Sequence, residues 1–164
     1  MKIYTYPDPI LRSLSKPVEN IDEKLQKLID SMGETLYAAP GIGLAAIQVG
    51  VPIRLIVYDI SSGDGERNLS VLINPEIVLA EGSEVYSEAC LSVVNYSADV
   101  KRHAKVKIRG VDRHGNPLDI EAEDLTAICL QHEIDHLNGI LFIDHISNLK
   151  RSLYKRKLKK MMEE

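Results

Sequence analysis

Between Leu125 and Leu137 the chain reads LTAICLQHEIDHL, an apolar stretch interrupted by His132, Glu133 and His136. Its length and its near-continuous hydrophobic character predict a helix over Leu125–Asn138 that other elements must cover. Asp124 or Glu123 stands near its start and Gly139 is suited to the C′ position. Covering two imidazoles and a carboxylate costs several kcal/mol unless a metal ion or polar partners satisfy them. Histidines four residues apart share a helix face, with Cβ atoms roughly 5–6 Å apart, so both can reach one ion. Glu133 lies about 100° around the helix from His132. It can flank the ion without ligating it, which is where a general base that activates water belongs.

A catalytic ion commonly takes three protein ligands and leaves one position open. A third histidine six residues beyond His136 is absent, because that position is Phe142. Cys129 is on the same helix but seven residues from His136, roughly 10.5 Å of rise, too far for a short side chain to close. The remaining cysteine, Cys90 in SEACLS, is therefore the third ligand expected, and Cys129 is expected to fill the core. His103, His114 and His145 fall in strand ends or turns and receive no role. Cysteine with two histidines suits zinc, iron(II), cobalt or nickel alike, so the ligand set leaves the metal open.

The rest of the chain supplies the cover for that helix. Asp22 to Tyr37 carries Leu25, Leu28, Ile29, Met32 and Leu36 at three- and four-residue steps behind the N-cap candidate Asp22, which predicts an amphipathic helix. PGIGLAAIQVG follows, with three glycines where backbone must turn or approach something closely. Arg54–Ile60, Val71–Ala80 and Glu84–Tyr86 read as strands, and Lys105–Val111 and Pro117–Ala122 flank the hairpin signal DRHGN. A last helix is expected over about 147–162, with Leu149, Leu153, Leu158 and Met161 as its apolar side. The predicted fold is α+β: mainly antiparallel sheets around the buried metal-binding helix, with N-terminal and C-terminal helices.

At 164 residues, 45% hydrophobic and 27% charged, the chain is expected to form one metallohydrolase domain over residues 1–164. It has no apolar run of signal-peptide or membrane-spanning length and two cysteines only, so a cytoplasmic protein without a disulfide is expected. Charge is uneven. Seven of the twenty Lys and Arg residues, but two of the twenty-four Asp and Glu, lie beyond Ile146, which makes the tail basic on an acidic body and suggests a polyanionic partner.

GIGLAAIQ at Gly41–Gln48, EACLS at Glu88–Ser92 and QHEIDH at Gln131–His136, in this order and spacing, resemble the bacterial peptide deformylase family, and YPDPILR and LFIDHIS resemble its ends in the type that closes with a helix. The resemblance covers essentially the whole chain. It implies hydrolysis of the N-formyl group from nascent polypeptides that begin with formyl-methionine, releasing formate. It further implies that the Gln48 side-chain amide and the Leu91 backbone N–H stabilise the oxyanion, and that Gly41, Ile42 and Gly43 admit the substrate as an added strand. Arg102 would contact the peptide. The expected cofactor is one divalent ion, iron(II) natively, with zinc, nickel or cobalt as alternatives, and the expected partner of the basic tail is the ribosome. Two positions depart from the family pattern: Ala89, where glycine is common, and Ile47, where proline is frequent. Another metal amidase or peptidase, and a metal-binding module without turnover, are the rival readings.

Overall fold

A computed structural model describes residues 1–61 and 65–164. Helix α1 spans Glu23–Ala38, and the Asp22 side chain accepts the Leu25 N–H at its start, satisfying a donor that no helical carbonyl can reach. Five strands form one sheet: β1 (Gly43–Ala45), β2 (Leu55–Tyr58), β3 (Ser70–Glu81), β6 (Lys105–Val111) and β7 (Pro117–Glu123), in the order β1-β2-β3-β6-β7. Strands β4 (Glu84–Cys90) and β5 (Val93–Arg102) form a separate hairpin. These strands pair antiparallel throughout, and an isolated parallel bridge joins Lys16 to Ile53.

The continuous apolar run of β2 follows from burial on both faces. Leu55 and Val57 pack toward α1 with Leu25, Ile29 and Leu36. Ile56 packs on the opposite face with Ala127, Leu130 and Ile134. Those three belong to helix α2, Asp124–Leu137, so the two helices sandwich one end of the sheet. Gly139 follows α2 at φ 74°, the left-handed backbone that closes helices and that glycine adopts without strain. A third apolar cluster joins β5, the short turn Phe142–His145 and helix α3, Asn148–Glu163.

The fold is α+β as the sequence predicts, with two differences. Strand β4 runs four residues past the expected Tyr86 and delivers Cys90, and its partner β5 has no counterpart in the sequence reading. On α3 the buried side chains are Tyr154 and Leu158, whereas Leu149 and Leu153 are 71% and 52% exposed. The apolar stripe expected from leucine spacing is therefore corrected: it faces solvent over its first half. Among the described residues no helix is long and apolar enough to cross a membrane.

Candidate active site

Helix α2 presents His132 and His136 on one face, with Nε2 atoms 3.2 Å apart. Cys90, at the end of β4, brings its Sγ to 3.3 Å from His136 Nε2. The three donor atoms lie within 4.8 Å of one another. Two imidazole nitrogens and a sulfur turned toward a common point suit a tetrahedral ion, whose ligand bonds of about 2.0–2.3 Å place neighbouring donors at such spacings. Burial holds the His136 pKa well below its ordinary value, so its ring stays neutral and able to donate a lone pair. The residues present therefore fit a divalent metal ion. Cys129 stands outside this group.

Behind the three donors lies a buried ionic layer. Glu88, inward-facing on β4, takes His132 Nδ1 at 2.9 Å, which fixes the tautomer and leaves Nε2 pointing at the ion position. Burial alone would raise the Glu88 pKa, but His132 and Arg102 outweigh it and hold it below the usual carboxylate range. Arg102 binds Glu88 through two nitrogens, at 2.6 and 3.0 Å, and Asp135 through a third contact at 2.9 Å. His145 reaches the same Asp135 oxygen at 2.8 Å. The expectation that Arg102 touches the peptide is corrected here. Its guanidinium is buried and committed to two carboxylates behind His132, away from the cleft wall. Neither Glu88 nor Asp135 stands out in the sequence by itself, although each sits inside a motif that does.

In front of the donors is a cleft of about 350 Å³, bounded by Gly41–Gly43 and by Tyr86–Leu91, with Leu125, Ile128 and Cys129 lining it from α2. Strand β1 is the edge of its sheet. Glu133 opens into this cleft, 4% exposed, and its Oε1 has no hydrogen-bond partner among the described residues. Burial pushes its pKa up to about 7, the range in which a carboxylate can both take and return a proton. Gln48 is 1% exposed. Its Oε1 accepts the Ala45 N–H at 2.9 Å, so its Nε2 faces Ser92 Oγ at 3.0 Å and Cys90 Sγ at 3.7 Å.

Cys129 is buried as expected but is more than filler: it lines the cleft, and it and Glu133 both lie within 3 Å of where a Cβ on Gly43 would stand. Ala89 lies outside the positive-φ backbone, which among described non-glycine residues is confined to Asn74, Asn95 and Asp124, so its methyl adds no backbone strain. Ile47 is fully buried in the core against α2.

A helical His-Glu-x-x-His pair completed by a cysteine, with a buried carboxylate over a cleft, defines a metal-dependent hydrolase. The chain belongs to the polypeptide deformylase family, whose pattern matches residues 1–152, and with it to the enzymes that hydrolyse the N-formyl group of nascent polypeptides. It is 55% identical over 164 residues to a peptide deformylase of Syntrophobacter fumaroxidans, covering all of this chain and 96% of that one. It is also 55% identical to that of Mesorhizobium japonicum, over 96% of this chain and 90% of the other. The solved peptide deformylase of Legionella pneumophila superposes with a TM-score of 0.92 at 49% identity, covering 99% and 95% of the two chains. That of Ehrlichia chaffeensis in complex with actinonin gives 0.92 at 38% identity, covering 98% and 96%.

Proposed function

We propose that Cys90, His132 and His136 hold one divalent ion, that Glu133 carries the proton, and that Gln48 and Leu91 stabilise the developing oxyanion as the formyl–nitrogen bond of a formyl-methionyl peptide is hydrolysed. The observation that supports this most directly is the Glu133 carboxylate: buried, with no hydrogen-bond partner for Oε1 among the described residues, raised to about 7 and beside three converging donor atoms. When bound, the ion supplies Lewis-acid chemistry, polarising the formyl oxygen and acidifying water. Glu133 takes the proton from the attacking water and returns it to the leaving amine, so one carboxylate serves both halves of the reaction. The Gln48 amide, with its oxygen tied to Ala45, directs an N–H toward the site where negative charge develops. The peptide adds as a strand beside Ile42 and Gly43, where β1 is the edge of its sheet, and the methionine side chain enters the cleft near Leu125, Ile128 and Cys129.

The test is Glu133→Ala. It is expected to retain the metal at full occupancy and to lose about 10² or more in formate release, since a positioned acid–base group supplies 10²–10⁴ of rate. Loss of metal in that variant would show that Glu133 holds the site together and would overturn the assignment. For the ion we propose iron(II). Thiolate-bound iron is open to oxidation, so activity should decay in air and persist with nickel or cobalt; equal air stability of the iron and nickel forms overturns it.

Residues 1–164 are proposed to act as one domain in the cytoplasm, with α3 as a docking element. Lys150, Lys155, Arg156, Lys157, Lys159 and Lys160 are all exposed on it, a cationic surface suited to ribosomal RNA.

A further inference from the structure

We propose that Ser92 is a positioning residue that holds the Gln48 amide in its productive orientation. Ser92 is fully buried in the turn between β4 and β5 and is tied to three parts of the site. Its Oγ accepts one Gln48 Nε2–H at 3.0 Å, its own N–H donates to Cys90 Sγ at 3.4 Å, and its carbonyl accepts the Tyr6 N–H at 2.7 Å.

A primary amide has two N–H bonds and one oxygen, and its plane can rotate unless both ends are held. Ala45 holds the oxygen and Ser92 holds one N–H. The second N–H is then fixed on the Cys90 side, where the 3.7 Å approach to sulfur shows its direction. With the Ser92 hydroxyl removed, the amide keeps its bond with Ala45 but can swing its nitrogen out of line. The Ser92 backbone N–H bond to Cys90 Sγ does not involve the hydroxyl and survives its loss, so the cysteine keeps that hydrogen bond.

This inference rests on the oxyanion role proposed for Gln48, and its consequence is specific. Oxyanion charge exists only in the transition state, so a misaligned Gln48 lowers kcat and leaves KM alone. Ser92→Ala is expected to lower kcat for a short formyl-methionyl peptide by about 3- to 10-fold, the range of one neutral hydrogen bond, with KM and metal content unchanged. In a Gln48→Ala background the same substitution should cost nothing more, because the group it positions is gone. An equal kcat loss in both backgrounds, a raised KM or a loss of metal would overturn the proposal while leaving Gln48's role intact. If Gln48→Ala alone does not lower kcat, the oxyanion reading fails and the Ser92 proposal with it. Should Ser92→Ala not fold, Ser92→Gly removes the same hydroxyl and carries the same comparison.

Discussion

A guanidinium sealed between two carboxylates gains little from burial itself, because desolvating three charges offsets most of their attraction. What it fixes is geometry. Arg102 fastens Glu88, Glu88 fastens the His132 ring, and the ring aims Nε2 at the ion position. Removing the cation leaves Glu88 a buried charge with His132 beside it, a loss of about 3–5 kcal/mol for a broken buried pair, while Asp135, partly exposed, keeps His145. Arg102→Leu is therefore expected to lower the melting temperature and to weaken metal retention by about 10- to 100-fold, as loss of a ligand's supporting partner does. A peptide-binding arginine would instead raise KM in a protein that keeps its metal, so metal content and KM measured together separate the two roles. The histidines are legible in sequence because one helix sets their spacing, and Cys90 is legible by elimination. The place of Arg102 is not, since its bond to Glu88 depends on how β5 lies against β4, and a hairpin without an Asn-Gly turn leaves that register unspecified.

Among the elements, the packing of β1 on α2 sets the width of the cleft. Gly43 has no unusual φ, so its value lies in the hydrogen it presents: a Cβ there would stand 2.7 Å from Glu133 Oε2, 2.8 Å from Cys129 Sγ and 3.0 Å from Glu133 Cγ. A methyl cannot occupy that space unless the carboxylate swings away and the Cys129 sulfur also shifts. Gly43→Ala is expected to cut formate release by about 10²-fold, the cost of misplacing a reacting group by about 1 Å. Its change in melting temperature should be small, because the displaced carboxylate can turn into the cleft. Unchanged kcat in that variant would mean that Glu133 reaches the substrate from another rotamer. In sequence the glycine marks a place of close approach, and what approaches it becomes visible only once α2 lies across the sheet. Strand β5 is hidden for a related reason: VVNYSADVKR alternates weakly and bends at Asn95, φ 54°, so period-two patterning does not mark it.

At the scale of the whole molecule, α3 both carries the basic residues and closes the third apolar cluster. Tyr154, 2% exposed, stacks on Tyr96 at a centroid distance of 4.5 Å, Tyr96 faces Phe142 at 6.0 Å, and Phe142 faces the His132 ring at 6.2 Å. Leucine spacing points to Leu149 and Leu153 as the anchors; Tyr154, between Leu153 and Lys155, takes that place because its partners, Tyr6 and Tyr96, come from segments distant in sequence. The proposed docking surface and the aromatic packing behind His132 are therefore joined in one helix, and deletion cannot separate them. A chain ending at Leu153 loses Tyr154 and Leu158 together, a change on the order of 3–5 kcal/mol for a large buried aromatic alone, and should melt lower. Lys155→Glu with Lys159→Glu alters only exposed positions. That pair is expected to keep the melting temperature and the rate on a short free formyl-methionyl peptide, while ribosome affinity falls and its logarithmic dependence on salt flattens by about 0.7–0.9 for each phosphate no longer neutralised. If affinity and salt slope match those of the unsubstituted chain, the cationic face does not dock on RNA, and α3 serves the fold alone through Tyr154 and Leu158.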